Sequence, residues 1–377
     1  METNPLAAIP RHYPSLDGLR GIAILLVIPH NANIMIPVLH GPFKAFTLFI
    51  DRGWFGANLF FVLSGFLITE QLYLTRHASN YFAGFYARRV LRIVPLFFVA
   101  VALAAVLTRA LPNRGHGATT PIWVLSLGLF FINWTEPLGL ALPGFPQFWS
   151  LAVEEQFYVV WPAVVRAFAS RLLAVSFGIT VVALGVRILM LLSGANPTTV
   201  YMWTVCRMDA LAFGAVAAII AQRWRTRDVV PRPWPWLRNA LAIAVLGALL
   251  TRLYASDTWP TQTVGYTCLG LSGMLLLLWA LANDMGSRQE RLATILRSHF
   301  LGSVGRYSYG MYVFHMLFVV FAAEWIKRLA TPFGEARMLA CALLIIALSY
   351  AAGYLSYHLF EKYFLRLGRR YFSAVRS

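Results

Sequence analysis

The sequence predicts an all-α fold: a polytopic helical membrane protein with about ten transmembrane helices and one re-entrant or interfacial segment near 121–134. Three observations predict it. The 377 residues are 59% hydrophobic and only 12% charged, where soluble domains carry about 25% charged residues. The mean hydropathy is +0.64. Apolar runs long enough to cross a bilayer recur along the whole chain, and no run alternates in polarity as a membrane β-barrel strand does.

The expected spans are 20–37, 54–72, 93–111, 148–165, 172–192, 205–221, 238–254, 262–281, 304–325 and 335–358. The stretch "PIWVLSLGLFFINW" (121–134) is too short to cross. Leaving it out places "RRVLR" (88–92), "RWRTRDVVPRP" (223–233), "RQERLATILR" (288–297) and "RLGRR" (366–370) on one side. The positive-inside rule makes that side cytoplasmic, so both termini are expected there. The same topology accounts for the net charge of +17, and no nucleic-acid partner is expected. A single integral-membrane domain over 1–377 follows, with no cleavable signal peptide expected in "METNPLAAIPRHYP". Cys206, Cys268 and Cys341 have neither disulfide nor metal-ligand spacing, and no metal site is expected.

Several polar residues fall where hydropathy alone does not put them. His30 lies two-thirds along "SLDGLRGIAILLVIPHNANIMIP", either as a structural histidine bonding a neighbouring helix or as a base within the membrane. Asp17 and Arg20 share one face at the entry of that span, as an ion pair or as part of a site. The second span carries Asn58 and Ser64 with Gly53, Gly56 and Gly65, and the glycines are expected to serve close helix packing. Arg88 and Arg92 are spaced i, i+4 with Arg89 beside them, which suits a topology signal or a phosphate clamp. In "FWSLAVEEQFYVVWP", Ser150 can cap a helix whose first turns hold Glu154 and Glu155, at the expected outer end of the fourth span. Arg207 and Asp209 open the sixth span, and His315 lies midway through the ninth.

The segments "YPSLDGLRGIAILLVIPHN", "FGANLFFVLSGFLIT", "FYARRVLRIVP", "FWSLAVEEQFYVVWP", "GRYSYGMYVFH" and "SYHLFEKYF" occur in the order seen in acyltransferase family 3 membrane proteins. The resemblance covers about 14–364. It implies O-acyl transfer from cytoplasmic acyl-CoA, acetyl-CoA above all, to a hydroxyl of an envelope glycan or exopolysaccharide in the bacterial inner membrane. The donor is a substrate, and no permanently bound cofactor is implied.

The family's first-span histidine falls on His30 and its acidic site on Glu154, the two implied catalytic residues. Arg88 and Arg92, with Arg20, are the implied acyl-CoA ligands. Asp17, Asn58, Ser150, Glu155, Arg207, Asp209 and His315 are the candidate substrate-binding groups, although relatives often carry an acid where Asn58 stands. The implied partners are a glycan or lipid-linked sugar acceptor, membrane lipid and envelope-glycan assembly proteins. Longer relatives add an SGNH hydrolase-like domain, and delivery without one, or to a separate partner, is expected. A small lipophilic acceptor (a macrolide or a lipid) is the alternative. A proton-coupled transporter is a weaker one, since no paired repeat is seen. The geometry expected is one continuous cavity with an arginine-rich inner mouth, His30 about 15 Å beyond Arg20 along the helix, and an outer mouth marked by Glu154 and Arg207.

Overall fold

A helix satisfies its own backbone hydrogen bonds without water, and among the described residues every regular element is helical. The computed structural model describes residues 12–33, 50–110, 121–135, 147–251, 253–286, 290–328 and 334–371. The first helices are α1 (Pro14–Asn33), α2 (Phe55–Leu74, entered through a tight turn at Arg52–Trp54) and α3 (Tyr81–Ala110). Then come α4 (Pro121–Gly128), α5 (Ile132–Thr135), α6 (Phe148–Ala167), α7 (Leu172–Leu192), α8 (Pro197–Met202), α9 (Thr204–Arg227) and α10 (Trp234–Leu250). A π-helical turn, Thr261–Gly265, leads into α11 (Tyr266–Met285). The last are α12 (Arg291–Leu296), α13 (His299–Arg328), α14 (Gly334–Ser356) and α15 (Lys362–Tyr371).

Five stretches among these residues are long and apolar enough to cross a bilayer: Arg52–Leu74, Ala169–Leu192, Pro197–Arg227, Thr261–Met285 and Ala340–Tyr371. The other expected spans also fall on helices. Of these, α10 has only 17 residues, while α1, α3 and α6 carry Arg20, Arg89 with Arg92, and Glu154 with Glu155. The end of the first expected span, 34–37, and most of the long loop expected over 112–147 lie outside the described residues.

The 121–134 segment is indeed not one crossing helix. Its first piece, α4, has 8 residues, about 12 Å of helix against a hydrocarbon core of about 30 Å. Phe130 takes a left-handed backbone (φ 56°) between α4 and α5. Gln156 of α6 fastens this break, its Nε2 donating to the Phe130 carbonyl oxygen at 2.7 Å and to Asn133 Oδ1 at 2.9 Å.

Helix α1 packs between α13 and α2, α2 against α9, and α9 against α7 and α11. Helices α7 and α14 turn large apolar side chains outward, Phe177, Leu189, Leu343 and Leu355 among them, as lipid-facing helices do. Glycine makes the central contacts possible. A Cβ on Gly65 of α2 would fall 2.0 Å from the Leu211 carbonyl oxygen of α9, and one on Gly214 of α9 would fall 2.1 Å from that of Val62. The packing role expected of the second-span glycines is therefore the one they have.

Ionic clusters tie the helices at the end where α1 begins. Glu70 accepts from the Tyr13 hydroxyl at 3.0 Å and pairs with Arg225. Asp284 accepts from Ser15 Oγ at 2.7 Å and pairs with Arg297 at 2.8 Å.

Gly65→Val is expected to force α2 and α9 apart and to cost about 1–3 kcal/mol or more, the range for overpacking. Gly185, whose added Cβ would meet nothing within 4 Å, is the control. Gly185→Ala should leave the unfolding temperature of the detergent-solubilised protein unchanged or slightly raised. Equal melting of the two variants would remove the close-packing argument.

Candidate active site

Among the described residues, two neighbouring cavities inside the bundle share a wall. The first, about 110 Å³, is lined by Arg20 from α1, Ser64 from α2, Arg89 and Arg92 from α3, and Glu154 and Tyr158 from α6. The second, about 340 Å³, is lined by His30 and Asn31 from α1, Trp54, Gln147 and Trp149 near the start of α6, and Gln262. Phe60, Ser150 and Tyr312 line both. The Ser150 and Tyr312 hydroxyls are 3.0 Å apart, and Tyr312 also donates to the Gln147 carbonyl oxygen. Where one continuous cavity is expected, two adjoining ones meet at the Phe60 ring and the bonded Ser150 and Tyr312 hydroxyls.

In the first cavity Glu154 Oε2 accepts from Ser64 Oγ at 2.8 Å and from the Tyr158 hydroxyl at 2.6 Å. The Arg89 guanidinium stands 5.2 Å from the Tyr158 ring centre, and Arg92 is exposed at the mouth. Arg20 pairs with Asp17 at 3.4 Å, and Asp17 is also 2.6 Å from His12. The placement of Glu154 corrects the expectation of a carboxylate at the outer mouth, across the membrane from the arginines. Lying about one helical turn beyond Ser150, it points toward α2 and α3 and shares the arginine cavity.

Arg88 does not line this cavity. Its Cγ would lie 3.7 Å from a Cβ on Gly368 of α15, and its head sits beside the Gln71 amide. Arg89 takes its place. Spacing could not separate them, since residues three and four positions before Arg92 both share its face; the docking of α15 decides.

In the second cavity, His30 follows Pro29, which cannot donate a backbone hydrogen bond to the preceding turn. Its Nδ1 is buried without a hydrogen-bond partner. The turn before α2 presses directly on it: a Cβ on Gly53 would fall 2.7 Å from the His30 Cβ and 2.2 Å from the Leu26 carbonyl oxygen. Asn31 is held from behind. Its Nδ2 donates to His315 Nε2 at 2.8 Å, while His315 Nδ1 donates to the Tyr312 carbonyl oxygen at 2.6 Å. His315 is fully buried, has both ring nitrogens engaged and lines neither cavity.

The remaining candidates are packed elsewhere. Asn58 accepts from Arg207 Nη2 at 2.7 Å, and that guanidinium is enclosed by aromatic rings, with Tyr266 at 4.1 Å and Tyr201 at 5.2 Å. Arg207 therefore marks a buried cation–π site and not a mouth. Asp209 pairs with Arg187 at 2.9 Å, both side chains almost wholly buried, and accepts from Thr267 Oγ1 at 3.1 Å. Glu155 lines neither cavity, and its Oε1 is buried without a partner. Arg187, Asn31, Gln147 and Gln262 carry no signal in the sequence that sets them apart from topology-determining or solvent-facing residues, and Arg89, noted there beside Arg88 and Arg92, carries none that ranks it above Arg88. Among the described residues no three His, Cys, Asp or Glu side chains gather as metal ligands.

Residues 13–357, from the Tyr13 cluster through both cavities and into α14, match the family described as an acyltransferase domain. The chain belongs to acyltransferase family 3. The peptidoglycan O-acetyltransferase OatA of Listeria monocytogenes is 28% identical over 323 residues, 81% of this chain and 49% of that protein. The O-acetyltransferase OatA of Staphylococcus aureus is 25% identical over 337 residues, 84% of this chain and 52% of that protein. This acyltransferase domain thus spans about half the length of the curated relatives it matches. No solved structure shows significant similarity to it.

Arg187→Met should leave the Asp209 carboxylate buried without its cation, at a cost of about 3–5 kcal/mol. Adding Asp209→Leu should recover most of that loss, because no uncompensated charge then remains. Thermal unfolding of both variants checks it, and a double variant no better than the single one would count against a purely structural pair.

Proposed function

We propose that the chain is a membrane O-acyltransferase that moves an acyl group, acetyl first, from acyl-CoA to a hydroxyl of an envelope-glycan or exopolysaccharide sugar. One observation carries the reading: a cavity bearing three arginines stands wall to wall with a cavity bearing His30. Arg20, Arg89 and Arg92 offer the forked donors that bind phosphate oxygens bidentately, so the first cavity is the donor side. The basic clusters at the same end fit a cytoplasmic face under the positive-inside rule. Ten spans in a bacterial inner membrane, both termini inside, belong to this reading.

The thioester reaches the wall of Phe60, Ser150 and Tyr312, and the Ser150–Tyr312 contact opens for transfer. The acceptor hydroxyl attacks the thioester carbonyl while His30 takes its proton. The tetrahedral intermediate collapses with cleavage of the C–S bond, and the CoA thiolate leaves and is protonated. Glu154, bonded by Ser64 and Tyr158 within the arginine cavity, serves in this reading to order the donor side and not the sugar.

Incubating the full chain with labelled acetyl-CoA and isolated envelope polysaccharide tests the reading. His30→Ala should abolish label transfer while CoA binding persists. Near-normal turnover would return His30 to a structural role.

Arg89→Ala and Arg92→Ala should each raise the KM for acetyl-CoA about tenfold or more, as loss of a hydrogen bond to a charged group does. Arg88→Ala should change it little, and lysine at 89 or 92 should rescue only in part. A larger effect at Arg88 than at Arg89 would misplace the donor cavity.

A further inference from the structure

The second cavity carries an unusual set of unanswered polar atoms. Buried polar groups in folded proteins are nearly always bonded, and leaving one unpaired costs about 1–3 kcal/mol. Yet His30 Nδ1, Trp54 Nε1, both polar atoms of the Gln147 side chain and Gln262 Oε1 are buried without partners. All four residues line this one cavity.

Gln262 is held in a fixed orientation. Its Nε2 donates to the Pro197 carbonyl oxygen at 2.8 Å and to that of Ser256 at 3.1 Å, which leaves Oε1 as an oriented acceptor. It sits on the π-helical turn Thr261–Gly265, an irregularity found at functional sites. Gln147, from the other side, offers both a donor and an acceptor at 5% exposure. Trp149 and Tyr201 add aromatic faces.

The charge pattern narrows the ligand. Among the described residues that line the cavity there is no Lys or Arg, and the one acid, Asp257, is exposed at its edge. An anionic ligand would meet no cation among these lining residues, and its burial against them would be strongly disfavoured. An apolar ligand would seal the orphan amides and the indole N–H away from water unpaired, which sites built for hydrogen bonding reject strongly. Neutral donors and acceptors set among aromatic faces match a ring that carries hydroxyls and no charge.

We infer that the His30 cavity selects an uncharged sugar ring, read by the side-chain amides of Gln147 and Gln262. This rests on the acyltransferase reading, in which the same cavity receives the acceptor. Gln147 and Gln262 are positioning and specificity residues: each bonds a ring hydroxyl other than the one acylated, and His30 faces the reacting one.

The test uses the full chain in lipid nanodiscs and three probes: methyl β-glucoside, methyl β-glucuronide (the same ring with a carboxylate) and octanol. Binding is followed by equilibrium dialysis and acyl transfer by label from acetyl-CoA. Methyl β-glucoside should bind saturably and at least tenfold more tightly than the other two. Gln147→Leu and Gln262→Leu should each weaken it about tenfold, about 1.4 kcal/mol, with CoA affinity unchanged as the sign of intact folding.

Equal binding of the glucuronide or octanol by the unaltered protein would overturn the inference, whatever the variants do. So would absence of saturable glucoside binding, or glucoside binding indifferent to both substitutions in variants that still bind CoA. Glucoside binding that depends on Gln147 and Gln262, without transfer from acetyl-CoA to any probe or polysaccharide, would uphold the inference and remove the acyltransferase reading instead.

Discussion

Hydrocarbon offers no hydrogen bonds, so each polar side chain carried inward by these apolar helices has to meet another protein group or open onto a cavity. Two groups of polar residues stand out among those described. Asp209 with Arg187, Glu70 with Arg225 and Tyr13, and Asp284 with Arg297 and Ser15 close on one another and hold helices together. His30, Gln147, Gln262 and Trp54 keep buried atoms unpaired, and all four residues line one shared cavity.

Helix α1 links the two cavities mechanically. It carries Arg20 into one and His30 into the other, ten residues apart and so about 15 Å along one helix. Its seating depends on surfaces without side chains. Gly305 of α13 and Gly53 before α2 would each clash with α1 if they bore a Cβ, the former at 1.9 Å from the Asp17 carbonyl oxygen. Close backbone approach on two sides, together with the Asp284–Ser15 anchor at its start, fixes where both cavity-lining side chains stand. The second cavity inherits this precision, since Asn31 on the same helix is held by His315 from α13.

The wall of Phe60, Ser150 and Tyr312 gives the proposed reaction a physical logic. A donor cavity open to a watery, basic face and an acceptor cavity with neutral polar groups would leak if joined by a permanent channel, and the thioester would meet water. A partition made of one ring and a hydroxyl–hydroxyl contact is inexpensive to open, because a neutral hydrogen bond contributes only about 1 kcal/mol net. In the proposed mechanism, separation of donor and acceptor follows from that contact.

Composition and hydropathy were enough to determine an all-helical membrane-type chain, and the ordered motifs pointed to an acyltransferase because such local patterns survive in sequence. The glycines of the second expected span announced close packing for the same reason, and the shortness of 121–134 announced a segment that is not one crossing helix. Position in three dimensions was decided only by tertiary structure. A helix places residues three and four apart on one face alike, so Arg88 and Arg89 were indistinguishable until α15 docked beside Arg88. A depth estimated from span ends could not tell that the rotation of α6 turns Glu154 toward the arginines. Nor could spacing along one helix tell that Asn58, Arg207, Asp209 and His315 would find partners on other helices, because pairing of buried polar groups is a property of which helices touch.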